Sequence, residues 1–309
     1  MGLRIAAYND DMAADVETAA AMAAEEGLDG LAIRNPWGTN LADLDGDGVR
    51  RIRQLADSHG LVIASLGAPY GRQFFIEDDA AQHAAEALLS KMFRDAEILG
   101  TRYIRIFALW LRDRQSYESW SVRPDYEQYL GRLAARLIPS VRMAERAGFT
   151  LMIETEGASW MGQVREARQL FPLLDSPAVT LCWDVANAWR SGELPADGLA
   201  LARTMSLADV NLKDLYHAAE DPTAPSTRRA VLGEGDIPFR QIIAALIGEG
   251  FDGCFTVERN YFPRRPEDHP ELQADIRSDI RNAVAMIRAA QNRERQPWRV
   301  SAPQGGKHE

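Results

Sequence analysis

Eight short apolar runs, which alternate with longer segments of helical spacing, constrain the fold of this chain more than any other feature. The runs are nearly continuous in apolar residues, which is typical of parallel strands that are covered on both faces. They are LRIAAY (3–8), GLAIR (30–34), LVIASL (61–66), RYIRIF (102–107), FTLMIE (149–154), VTLCWD (179–184), LADVNLK (207–213) and GCFTVE (253–258). Eight alternating units favour closure, so the predicted fold class is α/β, a single (β/α)8 TIM barrel over residues 1–290.

An open doubly wound sheet is the structural alternative to a barrel. Such a sheet usually carries a glycine-rich phosphate turn after its first strand. Here that turn is YNDDMAAD (8–15), and neither GxGxxG nor GxxxxGK[ST] occurs in the chain. Nucleotide binding by those routes is therefore disfavoured.

Two connections and the C-terminal segment depart from the regular pattern. The connections at 108–123 and 214–237 are much longer than is usual for such units, and both follow strands, which places them over the end where barrel active sites form. Each is either a lid or a plain surface insertion. Residues 291–309 lack periodicity and are predicted to be a flexible tail or an arm onto a partner subunit.

Composition narrows the classes of partner. The net charge is −10 and the pI is near 5.1, so no global field favours nucleic acid or an anionic membrane. No window approaches the apolar length of a membrane span, and the N-terminus lacks the features of a signal peptide. Two cysteines are too few for a disulfide framework. We expect a cytoplasmic protein with a small-molecule partner and possible homo-oligomerisation.

Four polar residues occur at or near the ends of the last four predicted strands: Glu154, Asp184, Asn211 and Glu258. Any single one of them could be solvated or paired with an arginine. Three carboxylates that converge in a partly buried site would repel one another unless cations or shared protons compensated them. A divalent metal ion is the simplest compensation.

The chain resembles the xylose isomerase-like barrels, a group of sugar isomerases and epimerases that also includes dehydratases and endonuclease IV. The resemblance covers roughly residues 3–290 and rests on IETEG (153–157), WDVAN (183–187), VNLKD (210–214), LGEGDIPF (232–239) and TVERNY (256–261). It implies that Glu154, Asp184, Asn211 and Glu258 are the metal ligands.

Three departures from the family pattern bear on the metal. Members often carry histidines where this chain has Glu156, Asn187 and Asn211. An all-oxygen ligand set favours Mn²⁺ or Mg²⁺ over Zn²⁺. Endonuclease IV chemistry needs a histidine-rich trinuclear zinc site, and this chain has five histidines, none of which ends a predicted strand.

The resemblance implies proton transfer through an enediolate, with Glu154 and Glu258 on either side of the substrate. Lys213 should point into the same mouth and could stabilise the enediolate or pair with a neighbouring acid, and Glu156 is a further candidate acid or base. The candidate substrate-binding residues are Arg105, Trp110, Trp183 and His217.

Three functions remain open on the sequence. The first is a metal-dependent isomerase or epimerase of a sugar or keto-polyol. The second is a lyase on the same scaffold that dehydrates an inosose-, dehydroshikimate- or keto-glycoside-type substrate. The third is a metal-free binding or accessory subunit, which the missing histidines suggest.

Overall fold

The fold is a closed parallel barrel, as predicted. The structure is a computed structural model that describes residues 2–72, 74–78, 81–112, 126–217, 227–259 and 269–295. The barrel strands are β1 (Arg4–Tyr8), β2 (Gly30–Ile33), β3 (Val62–Gly67), β4 (Tyr103–Phe107), β5 (Thr150–Glu154), β6 (Val179–Asp184), β7 (Leu207–Leu212) and β10 (Cys254–Val257). Each bound lies within one residue of the sequence prediction.

Closure depends on β1, which pairs in parallel with both β2 and β10. The remaining strands follow in chain order around the ring, which makes the order β1-β10-β7-β6-β5-β4-β3-β2. All strands therefore run in the same direction, and their C-terminal ends meet at one mouth of the barrel.

Helices connect the strands, and the longer ones cover the outside of the barrel. They are α1 (Asn9–Met12), α2 (Val16–Glu25), α3 (Gly46–Ser58), α4 (Gln82–Leu99), α5 (Tyr126–Ala147), α6 (Val164–Leu174), α7 (Val185–Arg190), α8 (Pro195–Ala202), α9 (Phe239–Gly248) and α10 (His269–Arg295). The predicted domain boundary at 290 falls inside α10, which continues to Arg295, and residues 296–309 lie outside the described residues. Within the described chain, no helix combines the length and the apolar character that crossing a membrane would require.

The second long connection contains a short antiparallel hairpin that the sequence pattern did not predict. Its strands are β8 (Leu215–His217) and β9 (Thr227–Arg229). The residues between these two strands, and residues 113–123 of the first long connection, fall outside the described residues. The interpretation of either connection as a lid stays a prediction.

A cavity of about 390 Å³ opens at the opposite mouth, among residues at the N-terminal ends of the strands such as Arg4, Arg102, Thr150 and Thr180. In barrels of this type the N-terminal face contributes stability, and the chemistry is located at the C-terminal face. The strand-end carboxylates lie at that second face.

Candidate active site

Three strand-end carboxylates converge at the C-terminal mouth. Glu154 ends β5, Asp184 ends β6, and Glu258 directly follows β10. Each offers an oxygen that lies within 4.8 Å of those of the other two, and all three side chains are buried. We call these three residues the carboxylate triad. Carboxylate oxygens are the donors that hard divalent cations prefer, so the triad fits a metal ion of that class.

Each triad member has a cationic side chain of the same chain beside it. Arg105 Nε lies 3.0 Å from Glu154 Oε2, Lys213 Nζ lies 2.6 Å from Asp184 Oδ2, and Arg34 Nη1 lies 2.7 Å from Glu258 Oε1. On the sequence, a divalent metal ion was the simplest compensation for these charges, with cations or shared protons as alternatives. In the structure, three buried cations of the chain itself offset part of the repulsion within the triad.

Arg34 is held in place by residues that the sequence analysis did not single out. Its Nε donates to Asp10 Oδ2 at 2.9 Å, its Nη2 donates to Asp11 Oδ1 at 3.2 Å, and its guanidinium lies 4.3 Å from the centre of the Tyr8 ring. Two consecutive carboxylates that follow β1 after one intervening residue could have been noticed as acids near a strand end. From the sequence, the turn after β1 was notable only because it lacks the glycine-rich pattern of a phosphate-binding turn.

Asn211, the fourth predicted ligand, is buried beside the triad. Its amide nitrogen donates to Glu258 Oε2 at 3.1 Å. Its amide oxygen lies 3.7 Å from the Cys182 thiol, which donates to it. The nitrogen, and not the oxygen, therefore faces the triad, so Asn211 would have to rotate its amide to become a metal ligand.

Asn187 connects the triad to two further predicted residues. Its amide oxygen accepts from Lys213 Nζ at 3.1 Å, and its amide nitrogen lies 3.4 Å from Glu154 Oε1 and 3.5 Å from Glu156 Oε2. Its backbone N–H donates to Asp184 Oδ1 at 2.8 Å. From the sequence, Asn187 was notable only because members of the resembled family often have a histidine at this position. In the structure it lies at the centre of the hydrogen-bond network around the triad.

The surroundings of the three triad carboxyl groups give them different pKa values. Burial raises the pKa of Glu154 to about 8; Arg105 opposes this shift, and the charges of Glu258, Asp184 and Glu156 add to it. Burial also raises the pKa of Asp184 to about 6, although Lys213 opposes the shift. Burial alone would raise the pKa of Glu258, but Lys213, Arg34 and Arg105 lower it to about 2. Carboxylates with pKa values pushed apart can serve as an acid and a base in one reaction.

The four predicted substrate-binding residues separate into two groups. Arg105 lies at the triad and also 4.4 Å from the centre of the Phe107 ring, and the Trp110 ring packs edge-on against Phe107 with 5.4 Å between the ring centres.

Trp183 is fully buried and contacts α8 at Gly198, away from the mouth. His217 is exposed on the hairpin, with its ring 4.4 Å from the ring of Trp189. The structure does not bring Trp183 or His217 into contact with the triad.

A family model described as xylose isomerase-like TIM barrel matches residues 20–287. No curated protein matches the chain significantly.

Solved structures with the same fold include enzymes of two reaction classes. An L-ribulose 3-epimerase is 17% identical with a TM-score of 0.71, and the match covers 98% of this chain and 100% of that one. A probable 3-DHS dehydratase, AsbF from Bacillus anthracis, is 14% identical with a TM-score of 0.69, covering 91% of this chain and 98% of that one. A xylose isomerase-like TIM barrel protein from Mycobacterium smegmatis, in complex with magnesium, is 18% identical with a TM-score of 0.68, covering 93% and 97% respectively. At these identities the similarity establishes the fold.

Proposed function

Because the chain belongs to the xylose isomerase-like TIM barrel family and carries a buried carboxylate triad at its active end, we propose that it isomerises or epimerises a small sugar or polyol-derived ketone. The observation that carries the proposal is the placement of Glu154 and Glu258. Their strands, β5 and β10, are separated in the barrel by β6 and β7, yet their carboxylate oxygens come within 4.8 Å of each other. Two acids that reach one point from different sides suit proton removal on one face of a carbon and proton return on the other.

In this mechanism Glu258 is the base and Glu154 is the acid. Glu258 is the member with the stronger cationic surroundings, since Arg34 and Lys213 both lie beside it, and it is ionised when substrate arrives. It removes the proton from the carbon next to the carbonyl, and Glu154 supplies a proton to the resulting enediolate. Arg105, between Glu154 and Phe107, is positioned to bind a substrate oxygen.

A divalent ion, Mn²⁺ or Mg²⁺, would be held by Glu154, Asp184 and Glu258, with Asn211 as a fourth ligand after rotation of its amide, and it would polarise the substrate carbonyl. The triad supports this proposal because its donors are all oxygen. We include Lys213 and Glu156 as further catalytic residues, because both contact the amide of Asn187 beside the triad.

Proton exchange in D₂O tests the proposed function. Purified protein with Mn²⁺ or Mg²⁺ is incubated with a set of ketoses and keto-polyols, and deuterium at the carbon next to the carbonyl is followed by NMR. We expect exchange with at least one substrate, and we expect E154Q and E258Q each to slow turnover by about 100-fold or more. E249Q, which changes an exposed glutamate paired with Arg203, is the control. Absence of exchange across the whole set would count against the proposal.

A dehydratase is the second candidate, favoured by the equally good fold match to the probable 3-DHS dehydratase. After the same proton abstraction by Glu258, protonation of a β-hydroxyl by Glu154 would release water in place of returning the proton to carbon. Mass spectrometry of the products separates the two reactions. Loss of water with a new conjugated-enone absorbance supports the dehydratase, and an unchanged mass supports the isomerase.

A further inference from the structure

The three cations of the site differ in how firmly they are held. Arg34 is fixed by hydrogen bonds from its guanidinium to Asp10, Asp11 and Glu258. Arg105 lies between Glu154 and the Phe107 ring. Lys213 presents a single ammonium on a four-carbon stem with rotatable bonds, which makes it the cation that can move with the least rearrangement.

The Lys213 ammonium contacts two members of the triad. It lies 2.6 Å from Asp184 Oδ2 and 3.7 Å from Glu258 Oε2. A divalent ion bound by the triad needs oxygens from the same two side chains. Two cations that share those oxygens in a buried site repel strongly, because little solvent screens them.

The side chains around the triad are arranged in a way that suits the ammonium of Lys213. Each of the six triad carboxylate oxygens has a protein nitrogen within 3.4 Å, and these nitrogens belong to Arg105, Asn187, Lys213, Arg34 and Asn211. Asn187 in addition turns its oxygen to Lys213 Nζ at 3.1 Å. The chain itself thus surrounds the triad with nitrogen atoms, and a metal ion would have to approach oxygens that these groups, the Lys213 ammonium among them, already face.

We infer that Lys213 is a built-in competitor of the divalent cation: its ammonium neutralises Asp184 and Glu258 in the metal-free site and leaves them when the metal binds. The inference rests on the proposed function, because it takes the triad to be the metal site. Its consequence is that the native chain binds its metal more weakly than the triad alone would, and that occupancy follows the available concentration of the ion.

Metal affinity of K213M, compared with the native protein, tests the inference. Titration of metal-free protein with Mn²⁺, followed by calorimetry, should give at least about tenfold tighter binding in K213M, because the competing charge is gone. K91M is a matched control, since Lys91 also pairs with an aspartate, Asp95, at 2.6 Å on the side of α4. K91M should bind Mn²⁺ as the native protein does.

The possible outcomes distinguish a failure of the inference from a failure of the proposed function. If the native protein binds Mn²⁺ as tightly as K213M, Lys213 does not compete and the inference fails while the metal site stands. If neither binds Mn²⁺, the metal site fails and the inference fails with it. Thermal melting identifies a K213M that does not fold, and K213Q, which keeps a polar side chain, must then bind Mn²⁺ more tightly than the native protein or the inference is overturned.

The native protein allows a second readout that needs no substitution. The chain has three lysines, Lys91, Lys213 and Lys307, so labelling lysine side-chain nitrogens with ¹⁵N gives a sparse NMR spectrum. Mg²⁺ should shift the Lys213 signal and leave the Lys91 signal unchanged. A Mg²⁺ titration that raises the melting temperature but leaves the Lys213 signal in place would overturn the inference.

Discussion

At the scale of single residues, charge balance around the triad determines what each carboxylate can do. Glu258 lies beside both Arg34 and Lys213, whereas Glu154 has Arg105 as its adjacent cation and three acidic neighbours. Burial would make both carboxylates weak acids if nothing opposed it. Unequal cationic surroundings therefore give two glutamates of the same type different proton affinities, and they do so before any metal is considered.

Asn211→His is expected to tighten metal binding. The imidazole supplies a nitrogen ligand where the native amide turns its nitrogen towards Glu258, and histidine is a stronger donor to first-row metals than an amide. We expect Mn²⁺ affinity to rise by about tenfold or more and the preference to move towards Zn²⁺, measured by competitive titration. Unchanged affinity in a folded variant would show that position 211 is not a ligand position.

The triad members could be predicted because each ends or follows an apolar run, and parallel strands bring such ends together. Asp10 and Asp11 were beyond that reasoning, since their pairing with Arg34 depends on how a β2 side chain meets the turn after β1. Trp183 illustrates a further limit. It precedes Asp184 by one residue, and neighbouring strand residues face opposite sides, so proximity in sequence does not place it in the mouth.

At the scale of elements, Asp214 fixes the loop that follows the hairpin. Its carboxylate accepts from the backbone N–H groups of Leu215, Gly233 and Gly235, at 2.9, 2.8 and 3.0 Å. This explains why LGEGDIPF accompanies VNLKD in the sequence, because the glycines lie against the aspartate of the second motif. Since Asp214 adjoins Lys213, the same clamp also positions the end of β7.

Gly235→Ala should destabilise the protein. A Cβ at this position would overlap Asp214 Oδ1 and would lie 2.6 Å from the carbonyl oxygen of Leu215, which is backbone and cannot rotate away. We expect the free energy of unfolding in urea to fall by about 1–3 kcal/mol. Gly131→Ala is the matched control, because a Cβ there meets nothing within 4 Å on exposed α5. Helix propensity should make that variant up to about 1 kcal/mol more stable. Equal effects of the two changes would contradict the clamp.

Glu193 gives the start of α6 a pH-dependent contribution to stability. Its carboxylate accepts from the N–H groups of Val164 and Arg165, and burial raises its pKa to about 7. The folded protein therefore holds the proton more tightly than the unfolded chain does. This contribution is greatest below the unfolded pKa, and it is lost as pH rises through about 7.

Glu193→Gln should remove this pH dependence. The native protein should lose stability relative to E193Q between about pH 5 and pH 8, measured as the difference in free energy of urea unfolding at the two values. The exposed E249Q variant is the comparison. A difference between native protein and E193Q that stays constant, or that grows in favour of the native protein with rising pH, would contradict the assignment.

How well each strand or helix could be predicted depends on how much of it is buried. Every barrel strand was predicted, because strands covered on both faces are apolar almost throughout. The hairpin β8–β9 was missed because most of its residues are exposed, so TRR (227–229) carries no apolar pattern. The end of α10 was placed at 290 for a related reason, since Gln291–Arg295 continues the helix without apolar residues.

At the scale of the whole molecule, the net negative charge leads us to expect that the protein does not bind nucleic acid. The chain carries −10 overall, while three of its cations are buried against the triad. Cations that pair with buried carboxylates cannot neutralise phosphates. This expectation can be tested directly.

We expect no interaction with DNA that contains an abasic site. A fluorescent duplex with a tetrahydrofuran abasic analogue should show no anisotropy change with up to about 10 µM protein at low salt, where phosphate contacts are strongest. Incubation with Zn²⁺, Mn²⁺ or Mg²⁺ should leave the duplex uncut, because the triad has oxygen donors and lacks the histidines of a trinuclear zinc site. A basic protein of similar size is the positive control for binding. Saturable binding that weakens as salt is added would contradict this prediction, because it would mean that the protein has a basic surface despite its net negative charge. A reaction on DNA would then have to be considered as a further candidate function.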